Sequence, residues 1–150
     1  MLRRFSRADM TAALAVVVGL LAVYIPWYSY TSGSSHISVN GFRASLLGDL
    51  FFLVIAAAAL LLLMRHGLVD DLISPHLNEA PVYSILAGTA GAAVLLQIIL
   101  AATGSKSFAP GIFLALLAAL LLTASAWIRR PDGRSGLFMR ETGDRGRLTD

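Results

Sequence analysis

Few side chains in this sequence could do chemistry, and most of them stand alone. Asp49 sits second in the apolar run GDLFFLVIAAAALLLLM, Gly48 to Met64. A carboxylate inside a membrane costs about 2.5–3.5 kcal/mol at mid-bilayer even on the lenient scale, and such residues often couple protons or cations. The competing reading is structural, with Asp49 held by a positive helix N-terminus and by external water or Arg43. Shallow depth, and the absence of a second acid within an apolar run, favour the structural reading. Gln97 is the other polar group within an apolar run. It could line a path, but such residues more often bond across helices, at about 0.6 kcal/mol on average. Asp9 lies beside Arg7, where solvation alone would account for it. Thr123 and Ser125 can bond carbonyls of their own helix.

Other chemistries are thinly represented. His36, His66 and His76 all fall between the apolar runs. Haem held between membrane helices needs axial ligands on those helices. His66, Asp70, Asp71 and His76 share one segment, but their spacing matches no standard metal site. There are no cysteines, which excludes disulfides, thiol catalysis and thiolate metal sites. No nucleophile is spaced near a base. The expectation is therefore no catalytic residue, no metal and no cofactor.

The elements that carry these residues are membrane spans. The 150 residues are 57% hydrophobic and only 14% charged, against about 25% charged in soluble domains. A span needs about 20 mostly apolar residues. Four segments qualify, at about 10–28, 44–64, 81–103 and 108–128. The first follows a basic start, MLRRFSR, but is too long for a signal-peptide core and has no A-x-A site before its aromatic end. It reads as a retained span. A second span beginning at Asp49 would rise only about 22 Å to Met64. A start between Gly41 and Ser45 crosses better and puts Asp49 one to two turns inside the helix.

Charge gives the orientation. Arg3, Arg4, Arg7, Arg65 and the six arginines from Arg129 to Arg147 place ten basic residues on one side. Arg43 and Lys106 place two on the other. Both termini are thus expected in the cytoplasm. The expected fold is an all-α membrane protein, residues 1–130 forming a four-helix antiparallel up-down bundle. A basic cytoplasmic tail follows at 131–150.

The connections differ in kind. The first, Thr31 to Ala44, is polar, with Ile37 and Val39 alternating and an Asn40-Gly41 turn signal, so a small hairpin or ordered flap is expected. The second, Arg65 to Ala80, spaces Leu68, Val69, Leu72 and Ile73 as a short interfacial helix. The third, Gly104 to Ser107, forces a tight antiparallel helical hairpin.

Two surface patterns complete the reading. Ala87, Gly88, Gly91 and Ala92 form a small-residue patch suited to close helix packing. Trp27, Tyr28 and Tyr30 end the first span and Trp127 ends the fourth, as interfacial aromatics would.

The PWY closing span one, the polar loop with NGF, and the GD opening span two resemble a diffuse group of small four-span proteins from actinobacteria and related bacteria. That resemblance implies topology and little else; the expected location is a bacterial cytoplasmic (inner) membrane. Small multidrug transporters depend on a glutamate in the first span, which is absent here. Claudin-like proteins have a longer first loop with a Gly-Leu-Trp motif and a cysteine pair, also absent. The expected function is a non-catalytic accessory or scaffold subunit of a membrane complex. The alternative is a small oligomeric transporter or channel using Asp49. Expected partners are the lipid bilayer and other membrane subunits or further copies of the chain, and not nucleic acid.

Overall fold

The computed structural model describes residues 6–68, 79–104 and 106–130. The described chain is mostly helical, and four of its helices are long and apolar enough to cross a membrane. The first, α1, runs Arg7–Tyr24 and opens with a capping box. Ser6 Oγ accepts from the Asp9 amide, and the Asp9 carboxylate accepts from the Ser6 amide, each at 3.1 Å. The helix ends at Ile25, whose extended backbone suits a residue before proline. Span one therefore stops at Tyr24, not Tyr28.

Pro26 instead begins a strand. β1 (Pro26–Ser32) and β2 (Ser35–Asn40) form an antiparallel hairpin. Its turn is Gly33-Ser34, with Gly33 at φ +62°, the left-handed conformation a tight hairpin requires. The sequence allows a small hairpin or an ordered flap here, and the structure has the hairpin, but with its turn at Gly33-Ser34 and not at the Asn40-Gly41 signal. Asn40 is instead the N-cap of a one-turn helix, α2 (Gly41–Ala44), where its side chain accepts from the Arg43 amide at 3.2 Å. A third strand, β3 (Ser107–Phe108), pairs with Tyr28 and Ser29, giving the order β2-β1-β3. It occupies the start assigned to span four.

Ser45 is fully extended and separates α2 from α3 (Leu46–Arg65). The start expected at Gly41 to Ser45 thus becomes a break, and Asp49 falls in the first turn of α3. The 20 residues of α3 still rise about 30 Å, enough to cross a bilayer. α4 runs Glu79–Thr103, and α5 runs Pro110–Ile128 with its proline in the first turn. The interfacial helix expected in the second connection (its residues from 69 to 78) and the tail at 131–150 lie outside the described residues.

α1 packs against α3 and α5, and α4 packs against the same two. The interior is built largely of alanine. Ala12, Ala15, Ala58, Ala90, Ala115 and Ala118 are fully buried. Leu53, Ile85, Leu95, Ile99, Phe113 and Leu120 point outward. In water this would be inverted. In lipid, leucine gains nothing by leaving the surface, while alanine lets backbones approach.

Candidate functional site

The polar groups concentrate at the two ends of the packed helices. At one end the helix termini bring together Asp9, Arg65, Glu79 and Arg129. Arg129 Nη2 donates to Asp9 Oδ1 at 2.7 Å, and its Nη1 donates to Glu79 Oε2 at 2.7 Å. Arg65 Nε lies 3.2 Å from Asp9 Oδ1, and its Nη1 donates to Glu79 Oε2. The four residues close a ring in which each guanidinium bridges both carboxylates. His66 Nε2 stands 4.0 Å from Asp9 Oδ2. The Arg129 guanidinium also lies over the Tyr83 ring, 4.2 Å from its centroid.

Local structure explains why the charges meet. Asp9 and Glu79 lie in the first turns of α1 and α4. Arg65 ends α3, and Arg129 caps α5. Each charge faces the helix-dipole end that favours it. Asp9 is 1% exposed, so this is no solvated residue beside Arg7; its partners come from α3 and α5. Ser125 also departs from the sequence reading. Its hydroxyl donates to the Ala8 carbonyl of α1 at 2.9 Å, tying α5 to α1. Thr123 does bond its own helix, at the Ala119 carbonyl.

Chemically the ring is charge-balanced, two carboxylates against two guanidiniums. Its carboxylates accept from guanidiniums, and Asp9 also accepts from the Ser6 hydroxyl at 2.7 Å. A cleft of about 470 Å³ adjoins it, lined in part by Ser6, Arg7, Arg65 and Glu79. No group of three metal-ligating side chains occurs among the described residues.

The other end is a junction of sheet and bundle. Trp27 and Tyr28 are buried at 0% and 3% exposure, so they are not interfacial aromatics with their polar tips in water. The register of β1 shifts between Pro26 and Tyr28. Such a bulge lets two successive side chains turn toward one face. Trp27 Nε1 donates to the Ala22 carbonyl at 2.7 Å, and the indole packs edge-on to Phe51. The Tyr28 hydroxyl donates to the Ala44 carbonyl at 2.8 Å. Tyr30 and Trp127 remain exposed, at 38% and 72%.

Gln97 is buried, and its Oε1 accepts from the Ser45 hydroxyl at 2.7 Å, a bond from α4 to the break before α3. Asp49 is exposed on the first turn of α3, away from the bundle interior. In the small-residue patch only Ala87 is buried, while Gly91 is half-buried and Gly88 and Ala92 are exposed. A Cβ added at Gly88 or Gly91 meets nothing within 4 Å. The face of α4 that packs inside the chain is Tyr83, Ala87, Ala90, Val94, Gln97 and Ala101.

The comparisons with known proteins add no relative: no family model, no curated protein and no solved structure matches this chain.

Proposed function

We propose that the protein is a non-catalytic scaffold or accessory subunit of a bacterial inner-membrane complex. In this reading the four helices run up and down with both termini in the cytoplasm. The sheet then lies outside and the ion-pair ring lies at the cytoplasmic surface. One observation carries the functional part. The buried polar side chains Asp9, Gln97 and Ser125 bond within the chain, the buried Tyr83 hydroxyl standing without a hydrogen bond beside the ring, while alanine and branched aliphatic residues make up most of the rest of the buried interior among the described residues. That interior supports a structural element more than a path. The outward small residues Gly88, Gly91 and Ala92 would let a helix of another subunit approach closely.

The orientation is open to direct measurement, because the chain has no native cysteine. Ser35→Cys should react with an impermeant maleimide in intact cells, while Arg4→Cys and Arg134→Cys should react only after lysis. External labelling of Arg134→Cys would invert the assignment.

The functional reading is tested by placing a photo-crosslinker at Ile85, an exposed side chain one turn before Gly88 on α4, in cells. We expect a crosslinked partner of different sequence in stoichiometric yield. That yield should be unchanged by Asp49→Asn, because Asp49 is exposed at the α3 start and its charge there contributes only about 0.3–1 kcal/mol. A crosslink to further copies alone, with a folded Asp49→Asn protein that has lost activity, would favour the transporter instead.

A further inference from the structure

We propose that the groove at the sheet end binds a phosphate-bearing anion, carried either by a lipid headgroup or by a small soluble molecule. The groove has a volume of about 750 Å³ and lies between the sheet and the helix ends. Its lining includes Lys106, Arg43 and His36 and contains no carboxylate. Neither Arg43 nor Lys106 forms an ion pair among the described residues. The acids near the ring at the opposite bundle end are already taken up by Arg65 and Arg129. Two positive charges therefore line one cavity without a counter-charge among the described residues.

The Lys106 ammonium is held over an aromatic ring, and the backbone that carries Arg43 is held by a cap. Lys106 Nζ lies 4.3 Å from the centroid of the Tyr28 ring, a cation–π contact. Tyr28 is itself anchored through its hydroxyl to Ala44. Arg43 sits on α2, whose first turn is capped by Asn40. The hydroxyl residues Ser29, Thr31 and Ser107 also line the groove. Guanidinium, ammonium and hydroxyl donors around one space suit a tetrahedral phosphate oxyanion, which accepts several charge-assisted bonds at once. This inference does not depend on the scaffold reading, since it concerns the groove alone.

The test uses the full-length chain in detergent. Native mass spectrometry with an equal mixture of phosphatidylglycerol and phosphatidylcholine reads retained lipid. Calorimetric titration with glycerol 1-phosphate reads the soluble anion. Preferential retention of phosphatidylglycerol, not displaced by glycerol phosphate, identifies the lipid headgroup as the source. Binding of glycerol phosphate identifies a soluble ligand. In either case Arg43→Gln combined with Lys106→Gln should weaken binding roughly tenfold or more, as expected for lost hydrogen bonds to a charged group. Arg43→Lys with Lys106→Arg should retain most of it. Should the double glutamine variant fail to fold, Arg43→Gln alone serves, because Arg43 is exposed. Equal retention of both lipids, unchanged in the double glutamine variant and without glycerol phosphate binding, would overturn the proposal. So would an anion preference unchanged in the glutamine variants, which would place it at the basic opposite end.

Discussion

Replacing Asp9 with alanine should destabilise the fold by about 3–5 kcal/mol, the range for removing one member of a buried ion pair. The deletion leaves Arg129, whose side chain is 6% exposed, without one of its two carboxylates. It also removes the acceptor for the Ser6 amide and hydroxyl, leaving only the half of the α1 capping box in which Ser6 Oγ accepts from the residue-9 amide. Because Asp9 touches groups from α3 and α5 as well as its own cap, three helices lose a shared contact. Asp9→Asn should cost less, since its one amide oxygen still accepts either from the cap, as Oδ2 does, or from a guanidinium, as Oδ1 does. Arg129→Ala should cost a similar amount to Asp9→Ala, and the double substitution less than the sum of the two. A coupling of about 0.5–3 kcal/mol is typical of residues in one network. Reversible unfolding in mixed detergent micelles, followed by circular dichroism, measures all four variants. A loss below about 1 kcal/mol for Asp9→Ala would mean the carboxylate is solvated, as for an exposed pair.

Asp9 also shows where the sequence stops being legible. In the sequence its neighbour is Arg7; in the fold its partners are Arg65 and Arg129. The signal was present in another form. At the ring end two spans have an acid in their first turn and two end at an arginine, so the signs alternate along the chain from one such terminus to the next. The spans themselves were legible because long apolar runs have few alternatives, though one differed at its end. Tyr24 ends α1 because Pro26 cannot continue it, yet Trp27 and Tyr28 look the same in sequence whether they face headgroups or a sheet junction. The β1–β2 hairpin showed through the alternation of Ile37 and Val39. The two residues of β3 are too short to carry any period. Small residues advertise close packing but not its direction. The inward stripe of α4 was readable from the steps of three and four linking Ala87, Ala90, Val94, Gln97 and Ala101, with Gln97 marking the stripe as buried.

The glycines that matter most to the fold are Gly48 and Gly111, and alanine at either should be strongly destabilising. A Cβ on Gly48 would lie 1.9 Å from the Gly41 carbonyl oxygen. A Cβ on Gly111 would lie 2.4 Å from the Ile25 oxygen, 2.6 Å from the Pro26 oxygen and 2.8 Å from Trp27 Cδ1. These neighbours are mostly backbone, which cannot swing aside as a side chain can. At Gly111 the backbone belongs to the α1–β1 junction, whose position is fixed by the Trp27 bond to Ala22 and by the Ala109 amide donating to Trp27. Overpacking a core costs about 1–3 kcal/mol and occasionally more, and both sites belong at the upper end. Gly19→Ala should cost less, because its Cβ meets the side chain of Ile55, which can shift. Gly88→Leu and Gly91→Leu should leave the single chain as stable as before. Both positions have open space around them, and replacing a helix glycine recovers up to about 1 kcal/mol of propensity. What those two leucines should weaken is the crosslink to a partner, by forcing its helix away. The same unfolding measurement, run beside the crosslinking yield, separates the two effects. A Gly111→Ala protein as stable as the original would mean that the sheet sits loosely on the bundle. Unfolding of Gly88→Leu would mean that α4 packs inside the chain through the opposite face.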